Sequence, residues 1–157
     1  MRLSDVYFRA KKFKKYGENE WVYGYLVKSF EGYEIWSFEY NHIVIDKVIP
    51  ETIGQFTGFV DKDGKRIYDG DIIEKHDWTN PNTSDYIGYV QMINGCWCVS
   101  HYEKYLHQWI HSKLKFDDFA EKKQKIIGNK TDDFLMFQQK FVNIDIDLND
   151  YKDYEEV

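Results

Sequence analysis

Asn94-Gly95 stands between two runs of β-forming residues, Tyr86 to Ile93 and Cys96 to Tyr102, and no other feature of the chain limits its fold as much. Asn and Gly accept the positive φ angles of a two-residue hairpin turn, so the runs on either side pair as antiparallel strands. The same punctuation recurs along the chain. Val6 to Arg9 is a short β-branched and aromatic run. Trp21 to Val27 and Tyr33 to Phe38 flank a turn at Glu31-Gly32, and Ile43 to Ile49 is a further strand ended by Pro50. Asp61 to Gly64 reads as a tight turn, with Arg66 to Tyr68 and Asp71 to Glu74 after it. Asp77 to Asp85 has the turn chemistry of a loop, and Lys125 to Gly128 returns to strand.

Two stretches are less decided. Glu103 to Leu114 fits a helix with Leu106, Trp109, Ile110 and Leu114 inward, or an extended segment. Lys115 to Lys123 fits one or two helical turns. Many short strands at regular spacing predict a mainly β fold, a small partly open barrel or sandwich-like sheet with one or two short helices.

Composition narrows the class. The 157 residues include 13 Tyr, 11 Phe and 5 Trp, which belongs to a globular chain and not to a disordered one. No apolar run approaches the roughly 20 residues of a membrane span, and the N-terminus has no apolar signal core. Two cysteines do not make a disulfide framework and suit a reducing compartment, so a soluble cytoplasmic protein is expected. Charge is uneven within the net −6. Arg2, Arg9, Lys11, Lys12, Lys14 and Lys15 make residues 1–20 basic, whereas residues 132–157 are strongly acidic. One β domain over residues 1–130 with an acidic extension at 131–157 is the expected organisation.

Three separated motifs carry a resemblance. Phe8-Arg9-Ala10-Lys11 followed by Glu20-Trp21-Val22-Tyr23-Gly24-Tyr25-Leu26 is the first. Pro50 to Phe59, Asp61-Lys62-Asp63-Gly64-Lys65 and Ile67 to Ile73 form the second, and Ile126-Ile127-Gly128-Asn129 the third. In order and spacing they resemble the YopX family of bacteriophage and prophage proteins over about residues 2–130. Ala10 stands where the family often has Gly, and the chain lacks the family's Asn-Pro-Glu-Leu ending. The resemblance implies a phage or prophage product, a mostly β fold and self-association. It implies no catalytic residue.

Gly54, Gly58, Gly64 and Gly70 punctuate the central motif, and Asp69-Gly70-Asp71 has the chemistry of a turn entering a buried strand. Gln55 and Thr57 suit a loop of the same kind. Gly54, Gln55, Thr57, Gly58, Asp69, Gly70 and Asp71 thus read as a structural corner, with a binding loop as the alternative. Cys96, Cys98, His107 and His111, with His101 nearby, form a weak zinc candidate. A one-residue gap between cysteines is tighter than structural zinc sites use, so no metal and no cofactor is expected. Asp145 to Glu156 matches a calcium loop at several positions but has Asp150 where Gly makes the turn. No spacing of Ser, His and Asp suggests nucleophilic catalysis.

Arg9, Lys11, Lys12, Lys14 and Lys15, interleaved with Phe8, Phe13 and Tyr16, are the candidate nucleic-acid contacts. The acidic end and the apolar residues Phe134 to Phe137, Phe141 and Val142 suit contact with another copy or another protein. The expected function is an accessory protein acting by binding, as a homo-oligomer or with a host or phage protein, and not an enzyme. The alternative is a nucleic-acid-binding module of the phage.

Overall fold

The computed structural model describes residues 6–76, 86–103, 105–114 and 123–133. Strands β1 Phe8–Lys11, β2 Trp21–Ser29, β3 Gly32–Glu39 and β4 His42–Lys47 come first. A short turn of 3-10 helix at Pro50–Thr52 leads to β5 Gly54–Val60 and β6 Arg66–Tyr68. Then come β7 Asp71–Lys75, β8 Tyr86–Ile93, β9 Cys96–Glu103, β10 Gln108–Lys113 and β11 Gln124–Asn129. They build two antiparallel sheets, ordered β4-β3-β2-β1-β5-β6 and β10-β9-β8-β7-β11. The fold is mainly β, as the turn spacing requires, and neither sheet closes into a barrel.

Turn residues fix the registers. Asn94 and Gly95 take φ of 48° and 76°, and Ile93 faces Cys96 across them. A second two-residue turn, Tyr40-Asn41 with φ of 45° and 67°, sets Glu39 opposite His42. The extended reading of the segment after Glu103 holds and the helical one does not. The chain reverses at His107 (φ 49°), and β10 lies along β9 from Gln108 opposite Glu103 to Lys113 opposite Cys98. The loop expected at 77–85 and the helical turns expected at 115–122 lie outside the described residues, as does the acidic extension beyond 133.

The first sheet buries one face over Ala10, Ile35 and Val48, with Phe8, Val22 and Leu26 packed against them. It curls enough for Lys12 to bridge Val48 and for Lys47 O to accept the Phe13 N–H at 2.8 Å. The second sheet is buried on both faces. One holds Ile73, Val90 and Val99 and is joined by Ile67 and Phe59 from β6 and β5. The other holds Ile72 and Tyr89 with Trp109 and Ile127. Strands β5 and β6 therefore carry the first sheet onto the second. Among the described residues no helix is long and apolar enough to cross a membrane.

Candidate binding surface and the junction beside it

Side chains alternate across a strand, so residues directly opposite on neighbouring strands share a face. In the first sheet Tyr25, Trp36 and Ile45 lie in one such row and Phe38 and Ile43 in the next. This is the face turned away from Ala10 and Ile35. Its residues are open to solvent: Tyr23 is 43% exposed, Tyr25 41%, Phe38 68%, Ile43 54% and Ile45 50%. Tyr25 meets Tyr7 and Phe38 edge-on, with ring centroids 5.8 and 6.5 Å apart. Arg66 lies over the Tyr7 and Phe56 rings at one border. Trp36 donates its indole N–H to Glu34 at 2.9 Å, and Lys47 pairs with Glu31, so the opposite border is polar. A contiguous aromatic and aliphatic surface with a polar rim has the anatomy of an interaction site.

Beside this face the three separated motifs meet. Arg9 of β1 is buried between Trp21 and Tyr68, its guanidinium 4.7 and 5.0 Å from their ring centres. Its Nη2 lies 2.7 Å from Oδ1 of Asp71, an ion pair rather than an aligned hydrogen bond. Asp71 Oδ2 accepts the Tyr68 N–H, which holds the turn between β6 and β7. Gly70 takes φ +82° in that turn, where a side chain would be strained. Its N–H reaches Val90 O and its carbonyl accepts from Lys130 N. Gly54 packs so closely that a Cβ would come within 2.7 Å of Asp69 O. Burial pushes the Asp71 carboxyl up, against the pull of Arg9, and pushes Asp69 up against Lys130 and Arg9.

A second polar knot ties the sheets together. Asn129 caps a helical turn at 130–133 by accepting the Asp132 N–H at 2.9 Å. Asp132 in turn accepts from the Trp21 indole at 2.8 Å and pairs with Lys11 at 2.8 Å. Burial opposes its ionisation, but hydrogen bonds from Lys11, Trp21 and Asn129 together hold the carboxyl below its usual range.

The remaining candidates fall into place around these features. Gln55 O accepts the Asp69 N–H, and the Thr57 hydroxyl donates to Ile67 O at 2.8 Å. Gly58 sits where the β5–β6 register shifts. Asp61 is buried, accepts the Asp63 and Lys65 N–H groups within its own turn, and reaches Ile126 N across to β11. Four of the five basic candidates are engaged with acids: Arg9 with Asp71, Lys11 with Asp132, Lys12 with Asp46 and Lys14 with Glu20. Lys15 lies over the Tyr16 ring.

Cys96, Cys98, His107 and His111 are not brought together. The β9–β10 register puts Cys98 opposite Lys113 and His111 opposite Ser100, with His107 at the far turn. Among the described residues no three His, Cys, Asp or Glu side chains are grouped to hold a metal. His101 stacks on Tyr86 at 3.9 Å, and burial pushes its pKa down. The Ser100 hydroxyl contacts His111 Nδ1 at 2.7 Å and accepts from Gln91, but Ser100 is fully buried and out of reach of a substrate. The calcium-like stretch at 145–156 lies outside the described residues.

The open face was missed from sequence although its signal was present. Both alternating sets of β2 are apolar or aromatic, Val22 and Leu26 on one side and Trp21, Tyr23, Tyr25 and Val27 on the other. Such a strand is either buried twice or displays one apolar face. Compared with known protein families, residues 7–133 match the family described as YopX protein. No curated protein matches the chain.

Proposed function

The chain belongs to the YopX family, and we propose that it is a phage or prophage accessory protein that acts by binding, associating with further copies of itself through the open face of its first sheet. The observation that carries this reading is the continuous exposed surface of Tyr23, Tyr25, Phe38, Ile43 and Ile45. Removing apolar area from water drives association at about 25 cal/mol per Å², and aromatic side chains are favoured anchors. A host or phage protein with a matching apolar patch is the other occupant of this class.

The nucleic-acid alternative draws less support. Binding a strand needs uncommitted cations tracking the phosphates. Arg9, Lys11, Lys12 and Lys14 are instead spent on acids of the same chain.

Light scattering of the full chain in low and high salt tests the reading. The expected mass is a multiple of 19.0 kDa that high salt leaves intact, and Phe38→Ser returns it to one chain. A single-chain mass at every concentration overturns self-association. Single-stranded DNA binding that weakens steeply with salt would move the function to the alternative.

A further inference from the structure

An open sheet edge is a row of unpaired backbone groups, and the four edge strands differ in how they are covered. On β6, Ile67 O accepts from Thr57 and the Tyr68 N–H goes to Asp71. On β11, Gln124 O accepts from Lys62 and the Ile126 N–H goes to Asp61. Strand β10 displays polar Gln108, His111 and Lys113. Strand β4 has neither device over residues 42–46, and it places Ile43 and Ile45 at the rim of the apolar face.

The direction of the free groups on β4 follows from its hairpin. Glu39 and His42 close a two-residue turn, and such a closing pair exchanges both of its backbone hydrogen bonds. Alternation then turns the N–H and C=O of His42, Val44 and Asp46 toward β3, and those of Ile43, Ile45 and Lys47 outward. The outward Lys47 carbonyl is indeed the one that accepts from Phe13. Ile43 and Ile45 are left facing solvent.

We propose that β4 of one chain pairs antiparallel with β4 of a second copy, about a two-fold axis at Val44. This deepens the self-association reading and rests on it. The register is the one of best fit. With the axis at Val44, Ile43 faces Ile45 of the partner subunit, so the outward groups meet as two fully hydrogen-bonded pairs. His42 then faces Asp46 of the partner subunit, an acid opposite an imidazole. An axis at Ile45 would need the Lys47 carbonyl that Phe13 already occupies. An axis at Ile43 would set Ile45 against Asn41. Pairing at Val44 makes the contact closed and self-complementary, as a two-fold interface must be, and runs the Phe38–Ile43 face continuously across both copies.

Residues on the axis form a non-hydrogen-bonded pair with Cα atoms about 4.5 Å apart, within disulfide reach. Positions 43 of the two copies would lie about 8 Å apart, beyond it. The test uses the full chain with Val44→Cys or Ile43→Cys, oxidised mildly and run without reductant beside the unsubstituted protein, together with the solution mass. Val44→Cys is expected to give a covalent dimer and Ile43→Cys none. An oligomeric mass without Val44→Cys cross-linking, or with equal cross-linking at both positions, overturns the β4 pairing and leaves self-association standing. A single-chain mass for the unsubstituted protein overturns both.

Discussion

The two sheets are made from the same kinds of residue but spend them differently. In the second sheet, Ile72 and Ile73 are adjacent in sequence, point to opposite faces, and are both fully buried. In the first sheet the corresponding neighbours divide: Ile35 is 1% exposed, whereas Ile43 and Ile45 are half open. A sheet covered on both sides is committed to holding itself together. One covered on a single side has apolar surface left to offer. The comparison locates stability mainly in β7 to β9 and recognition in β2 to β4, with Arg9 and Asp71 at the junction.

Cutting that junction should have the largest effect. Arg9→Ala leaves Asp71 ionised, buried and unpaired, and removing one partner of a buried pair costs about 3–5 kcal/mol. The loss should appear as a lower denaturation midpoint in urea. A cost under about 1 kcal/mol would mean that the two sheets do not depend on each other through this pair. Trp21 and Tyr68 lose their stacked cation in the same variant, so Arg9→Lys, which keeps charge without the planar group, should recover part of the loss.

A matched pair of truncations tests the sheets themselves. Ile73→Ala should cost about 2–5 kcal/mol, the range for a large buried aliphatic side chain cut to alanine. Ile45→Ala should stay within about 0.5 kcal/mol when measured at a concentration where the chain is alone. Equal costs would break the contrast, because they would make the open face part of the core.

How much of this was readable depends on the kind of interaction. Strand positions and the Asn94-Gly95 hairpin follow from local backbone preference, which the sequence displays directly. The turn at Tyr40-Asn41 was hidden, since Tyr seldom takes positive φ and gives no local signal. The segment from Gln108 to Lys113 was ambiguous because Leu106, Trp109 and Ile110 fit helical spacing, and only pairing with β9 decides for a strand. The glycines and aspartates of the central motif were legible as turn formers. That Asp71 would face Arg9, 62 positions earlier in the numbering of the same ion pair, was not, because long-range ion pairs leave no periodicity. The charge asymmetry of the two ends was visible, yet its described contact, Lys11 to Asp132, lies within one chain.

The smallest expected effect concerns the acid beside the junction. Burial holds the Asp69 carboxyl above its ordinary 3.8, although Lys130 and Arg9 pull the other way. A raised folded-state value means that the folded protein favours the protonated form. Its stabilising contribution is therefore complete below about pH 3.8 and is lost as pH rises through the folded value. Asp69→Asn has no proton to lose there. The variant should gain stability relative to the unsubstituted protein as pH rises from 3.8 toward neutrality, with little difference below it. Asp71 shifts in the same direction but is present in both proteins, so the difference between their urea midpoints isolates Asp69. The opposite slope, with the unsubstituted protein gaining as pH rises, would show that the cations at the junction outweigh burial. The two sheets would then be held together there by charge more than by packing.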